Sequence, residues 1–189
     1  MSNIKDIISN SISVKDKILN NDNFIKTINE VVNKAVECLK KDNTIWWCGN
    51  GGSATDAQHL AAELSGRFYF DRDPLSSEAL HVNTSYLTAV ANDYSYDVIY
   101  SRYLKGCGKK GDMLIGISTS GNSKNIINAF EVAKNKGITT VGMTGEIGDM
   151  IELSDYSLNV PSIDTPRIQE SHIMIGHIIC ELIETKIFK

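Results

Sequence analysis

The sequence predicts an α/β fold built on a mostly parallel, doubly wound sheet, and two observations carry that expectation. Short apolar runs rich in β-formers alternate with amphipathic helical stretches, and strands joined by helical crossovers lie parallel in one sheet. The 189 residues also show no composition shift, low-complexity tract or repeat of solenoid length, so residues 1–189 read as a single domain.

Two helical stretches open the chain. The second, from about Asn23 to Lys41, carries Phe24, Ile28, Val31, Val32, Ala35, Val36 and Leu39 at helix spacing, which gives it one apolar face. Residues 1–42 precede the first strand and are not crossovers, so these helices pack either on a neighbouring subunit or on their own sheet. Thr44-Ile45-Trp46-Trp47-Cys48 then reads as a strand stopped by Gly49, with a helical pattern from about Ala54 to Leu64. The same strand, loop and helix recur at Met113 to Ile117 and Lys124 to Lys136, where Gly137 suits a C-terminal cap. Further strands are expected at Ala79 to Val82, Thr139 to Thr144 and Ser157 to Val160. A last helix, started by Pro166, runs from about Arg167 to Lys186 with Ile168, Ile175, Ile178, Ile179, Leu182 and Ile183 on its apolar side.

Composition narrows the function classes. A formal charge of -4 and a pI near 5.6 give no electrostatic reason to expect a nucleic-acid partner, because phosphate-backbone affinity needs an excess of Lys and Arg. The first residues, MSNIKDIISNSISVKDK, mix charge with apolar side chains and lack the apolar core of a secretory signal. No segment is long and apolar enough to span a bilayer, so no membrane partner is expected. Cys38, Cys48, Cys107 and Cys180 form no Cys-x-x-Cys pair and read as reduced, mostly buried thiols of a cytoplasmic protein.

Both strong βα turns are rich in glycine and short polar side chains: Gly49-Asn50-Gly51-Gly52-Ser53, and Ser118-Thr119-Ser120-Gly121-Asn122-Ser123. In doubly wound folds ligands bind outside the carboxyl ends of the strands. A helix N-terminus presents unpaired N–H groups and a positive dipole end, so small residues there admit an anion. The hydroxyls of Ser118, Thr119, Ser120 and Ser123 add donors for phosphate oxygens. The competing reading is that Ser123 caps its helix and the remaining residues make a turn. Neither loop has a Walker or dinucleotide-fold signature.

Candidate chemical groups lie on two helices. His59 and Glu63 are four residues apart and share a face, as a metal-ligand or acid–base pair or as an ordinary exposed pair. On the last helix, Gln169 has His177 roughly 80° to one side and His172 roughly 60° to the other. The two histidines therefore diverge by roughly 140°, and one site does not hold both. Angle alone does not choose between them.

Taken together, GNGGSATDAQHLAAEL, AVANDYSYD, ISTSGNSKN and TPRIQESHIMIGH resemble the sedoheptulose-7-phosphate isomerase (phosphoheptose isomerase) family of sugar isomerase, or SIS, domain proteins. The resemblance covers nearly the whole chain. It implies a flavodoxin-like five-stranded parallel sheet and a homotetramer with active sites shared between subunits. The implied reaction converts sedoheptulose 7-phosphate to D-glycero-D-manno-heptose 7-phosphate for bacterial heptose biosynthesis. By the same resemblance Ser118, Thr119, Ser120 and Ser123 hold the phosphate, and Asn50, Gly51, Gly52, Asn92, Asp93 and Gln169 contact the sugar. Glu63 matches the catalytic base and His177 its acid partner, while His59, Glu63, Gln169 and His177 match a zinc site. One departure stands out: some members carry an Asp where this chain has Pro166, and no role passes to Asp164 by position alone.

The resemblance also admits relatives of other kinds. A non-catalytic tetrameric SIS scaffold that binds the replication initiator DnaA lacks the Glu and His equivalents, and both are present here. An isomerase of another phosphosugar shares every motif quoted. A sugar-sensing regulator needs a helix-turn-helix module, for which the roughly 40 residues before the first strand are too few.

Overall fold

A computed structural model describes residues 3–189. Five parallel strands, β1 (Ile45–Gly49), β2 (Ser77–Ala79), β3 (Met113–Ser118), β4 (Thr139–Thr144) and β5 (Tyr156–Asn159), form one sheet in the order β2-β1-β3-β4-β5. This is the flavodoxin-like order, whose direction of winding reverses between β1 and β3. Gly49 lies opposite Ile117 in that register, so the chain leaves β1 and β3 side by side. The two glycine- and serine-rich loops therefore share the switch point, where such sheets bind ligands.

Helices cover both faces. α2 (Asp22–Lys40), α3 (Gly52–Ser65) and α8 (Thr165–Phe188) build the core on one side with Ile45, Trp47, Ile115 and Val141, and α1 (Ile4–Leu19) adds Val14 and Ile18. On the other face α4 (Thr84–Asp93), α5 (Ile99–Cys107), α6 (Lys124–Lys136) and the short α7 (Met150–Leu153) pack on Trp46, Cys48 and Leu114. β1 and β3 are buried at every position, as strands covered on both faces must be. The edge strand β2 is shorter than expected and starts earlier. After Ala79 the chain turns, with the Leu80 N–H donating to the Trp47 carbonyl.

The leading helices differ in how much they pack on their own sheet. α2 buries Phe24, Ile28, Val31, Val32 and Ala35 against its own sheet and α8, worth about 2 kcal/mol for each large side chain. α1 buries only Val14 and Ile18 and leaves Ile4, Ile8 and Ile12 at 76%, 54% and 53% exposure. Among the described residues no helix is long and apolar enough to cross a membrane. Three cysteines, Cys38, Cys48 and Cys180, are buried free thiols, and Cys107 is exposed. Burial pushes the Cys38 thiol up to about 12, which keeps it protonated and unreactive.

Candidate active site

The turn after β3 is shaped to leave a cup of donors. Gly121 sits at φ +65, a conformation that costs glycine little. A Cβ there would lie 2.8 Å from Gly148 Cα, so the position excludes side chains twice over. Ser123 occupies the N-cap of α6, yet its side chain makes no capping bond. Its hydroxyl turns inward and lies 3.0 Å from that of Ser118, which is 3.4 Å from the Ser120 hydroxyl. The local turn thus forgoes a capping bond and presents grouped hydroxyls beside a helix N-terminus, the arrangement an anion requires.

The loop after β1 is fastened to this cup. Asn50 and Asn125 exchange amide hydrogen bonds at 3.0 and 2.9 Å, and the Tyr96 hydroxyl donates to Asn50 Oδ1 at 2.9 Å. The Asn50 side chain is therefore engaged inward. The Tyr100 hydroxyl donates to the Gly49 carbonyl, and a Cβ on Gly49 would fall 2.3 Å from the Ser53 carbonyl oxygen, so β1 enters α3 without room for a side chain. Asn92 and Asp93 end α4, exposed and bonded to each other at 3.0 Å, just before the segment that supplies Tyr96.

The titratable residues gather elsewhere on α3. His59 Nε2 lies 3.0 Å from Glu63 Oε1, and His177 Nε2 of α8 lies 3.5 Å from His59 Nε2. One ligand atom from each of the three falls within 4.8 Å of the others, so the helix pair has a third member that sequence spacing does not show. Two imidazoles and one carboxylate form a donor set suited to a divalent transition metal. Phe68 stacks on the His177 ring at 5.7 Å and 22°.

The structure separates the two histidines of α8. His177 faces the cluster. His172 is fully buried, with Nε2 3.1 Å from the Thr144 carbonyl oxygen, and burial lowers its pKa to about 4. Gln169 stands two turns before His177, roughly 12 Å along the axis, where a Cβ on Gly52 would meet its amide nitrogen at 2.7 Å. It lines a groove with Gly52, Thr55, Asp56, Glu170 and Ile173. Asp56 is a member of this face that the motif reading passes over. Burial raises its pKa, and the nearby His59 and His177 partly counter that rise. Asp164 is the N-cap residue of α8 without a side-chain capping bond, and Pro166 lies in the first turn.

The SIS-domain family model matches residues 12–145. The phosphoheptose isomerase of Aneurinibacillus thermoaerophilus is 55% identical over 187 residues, covering 98% of this chain and 94% of the relative. That of Sulfurimonas denitrificans is 56% identical over 186 residues, covering 98% and 95%. Among solved structures, the phosphoheptose isomerase of Francisella tularensis superposes with a TM-score of 0.92 at 32% identity, covering 96% of each chain. That of Neisseria gonorrhoeae gives 0.88 at 38%, covering 95% of this chain and 97% of the other. Likeness of this extent, along nearly the full length and in sequence as well as fold, means that the chain belongs to the phosphoheptose isomerase family of SIS-domain proteins.

Proposed function

We propose that this chain converts sedoheptulose 7-phosphate to D-glycero-D-manno-heptose 7-phosphate, an aldose–ketose isomerisation that feeds bacterial heptose into lipopolysaccharide or capsule. The observation that carries the chemistry is the convergence of Glu63 and His177, from helices far apart in the chain, on one cluster with His59. The relatives' shared name supports the substrate. The presence of both Glu63 and His177 favours an enzyme over a DnaA-binding scaffold, and a panel of shorter phosphosugars separates this reading from an isomerase of another substrate.

In the proposed mechanism the phosphate rests on the hydroxyls of Ser118, Thr119, Ser120 and Ser123 and the N-terminus of α6, with Asn50, Gly51, Gly52, Asn92, Asp93 and Gln169 along the sugar. The Glu63 carboxylate takes a proton from C1, and the released electron pair forms the C1–C2 double bond. Protonated His177 donates to the C2 carbonyl oxygen, which yields a cis-enediol. His177 then takes the proton from the C1 hydroxyl as C1=O forms, and Glu63 returns its proton to C2. His59, Glu63 and His177 would hold one zinc ion, which when bound supplies polarisation of the carbonyl oxygen, while Gln169, two turns away beside Gly52, stands outside that set within one chain. A carboxylate bound tightly to zinc is a poorer base, and an imidazole nitrogen bound to zinc has no proton to give, so the acid–base roles of Glu63 and His177 take precedence over their ligand roles.

Glu63 lies 11 residues into α3, roughly 16 Å along the axis from the loop that starts it. The phosphate end and the acid–base end of one chain thus stand at opposite ends of a helix. A homotetramer with shared sites would bring a neighbour's groups into that span, and the exposed Ile4, Ile8 and Ile12 of α1 offer an apolar face for its assembly. The enzyme is placed in the cytoplasm. The deciding assay incubates the purified protein with sedoheptulose 7-phosphate, with and without chelator, and identifies the products. Aldose phosphate without chelator is expected, and the change in its yield on chelation and zinc addition measures what the metal contributes. No aldose phosphate under either condition overturns the reading.

A further inference from the structure

We infer that the buried ion pair of Arg72 and Glu184 positions Glu63 and His177 for the reaction, an inference that rests on the isomerase reading above. Arg72 Nε and Glu184 Oε1 lie 2.9 Å apart, with side chains exposed to only 2% and 0%. Neither residue belongs to the motifs that mark the family, and 112 positions separate them.

The contacts of the pair run to both halves of the acid–base cluster. Arg72 donates through Nη2 to the Glu63 carbonyl oxygen at 2.8 Å, and through Nη1 to the carbonyls of Leu64 and Gly66 at 2.8 and 3.0 Å. Nη1 also reaches the Asp73 carbonyl at 3.0 Å. The carbonyls of Glu63, Leu64 and Gly66 end α3, where the last turn lacks helical partners and a cation suits the negative dipole end. The guanidinium therefore fixes the backbone that carries the proposed base.

Glu184 acts on the other half. It accepts from the backbone N–H groups of Phe68, Tyr69 and Phe70 at 3.1, 2.8 and 3.3 Å. Burial pushes its pKa up, but the Tyr69 and Phe68 N–H groups and Arg72 outweigh that and hold it below the usual value. Phe68, fastened in this way, lies flat against His177, which is two turns from Glu184 on α8 and shares its face. One ion pair thus sets the end of α3 under Glu63 and the ring wall behind His177. The charges themselves add little stability, since a buried pair is often matched by apolar residues of similar volume; what the pair supplies is partners for the backbone groups at the end of α3 and at Phe68 to Phe70.

The inference is testable by separating loss of charge from loss of fold. The double variant Arg72→Met/Glu184→Leu removes the fork and its acceptor but leaves no unpaired charge, and Glu184→Gln keeps the shape and one acceptor. With sedoheptulose 7-phosphate as substrate, the double variant is expected to retain cooperative melting. Its kcat should fall on the order of 10- to 100-fold, as misplaced catalytic groups do, with KM within about threefold of wild type. Glu184→Gln should lose about tenfold on the same grounds. In both variants the imidazole NMR signals of His177 should shift, because Phe68 no longer shields the ring. A folded variant with wild-type kcat and unmoved His177 signals overturns the inference, as does a rise in KM with kcat unchanged. If neither variant folds, the pair is a structural staple and the inference is also overturned. If the wild-type protein isomerises nothing, the isomerase reading fails instead, and the His177 signals still report whether the pair holds that ring.

Discussion

The two ends of α3 are built on opposite plans. At its start, the switch-point loops are made of glycine, short hydroxyls and backbone, and each shape follows from residues within a few positions of one another. Gly121 turns the chain, Ser118 and Ser123 face each other, and the Asn50–Asn125 exchange and the Tyr96 hydroxyl tie neighbouring segments to the loops. Toward its end, long titratable side chains from α3 and α8 converge, and buried groups distant in sequence hold them. The first plan is suited to a ligand whose charge does not change. The second is suited to moving protons, because its groups titrate and their neighbours can tune them.

The largest effect that would sharpen this contrast is at the second end. Glu63→Gln keeps the helix and most of the volume but removes the base, so kcat should fall by about 10²- to 10⁴-fold with KM nearly unchanged. His177→Gln should fall similarly. Circular dichroism and melting should match wild type for both, since Glu63 and His177 are only partly buried. Near-wild-type turnover in either would remove that residue from the mechanism and break the division of labour between the two ends.

The same division explains what the sequence made legible. β1, β3 and β4 announce themselves as apolar runs because both faces of each strand are covered, and the two loops are local motifs of small residues. β2 does not, because an edge strand of three residues needs little pattern to pair on one side. α4, Thr84–Asp93, has a single buried residue, Val90, and a helix with so little to bury leaves a weak period. In the site, His59 and Glu63 are readable as a pair at helix spacing, whereas the arrival of His177 from 118 positions away is a property of packing. Its choice over His172 came from resemblance, and the physical reason is that His172 is consumed by the Thr144 carbonyl. Phe68, Arg72 and Glu184 carry no local signal because their roles exist only once α8 lies on α3.

The next effect in size concerns acid. His172 has its pKa lowered by burial to about 4 from 6.5, so the unfolded chain takes up this proton first. The stability it contributes is present above pH 6.5 and is lost as pH falls from 6.5 toward 4. The loss is about 3 kcal/mol at most, at 1.36 kcal/mol per unit. Glu184 is also depressed, from 4.5, and its contribution is lost only below that value. Acid should therefore loosen the junction of α8 with β4, next to the phosphate loop, before it touches the Arg72 clamp. Urea melts at stepped pH should show the first decline above pH 4.5, and His172→Gln should shrink it to the part left by His81, whose pKa burial also lowers from 6.5. A decline that begins only below pH 4 would contradict this order.

The smallest effect tests the plan of the first end most sharply. An N-cap serine replaced by alanine ordinarily costs about 1 kcal/mol, because the side-chain oxygen satisfies an N–H group of the first turn. Ser123 sits at that position but makes no such bond, and its hydroxyl faces Ser118 instead. Ser123→Ala should therefore leave the melting temperature within about 1 °C of wild type, short of the roughly 2–4 °C per kcal/mol that loss of a cap brings. KM for the sugar phosphate should rise about three- to tenfold, the net worth of one hydrogen bond of about 1 kcal/mol, with kcat nearly constant. The effect should be smaller than that of Glu63→Gln because the helix N-terminus and the remaining hydroxyls still hold the phosphate. A drop in melting temperature of the size of a lost cap, with KM unmoved, would return Ser123 to an ordinary capping role and leave the loop a turn.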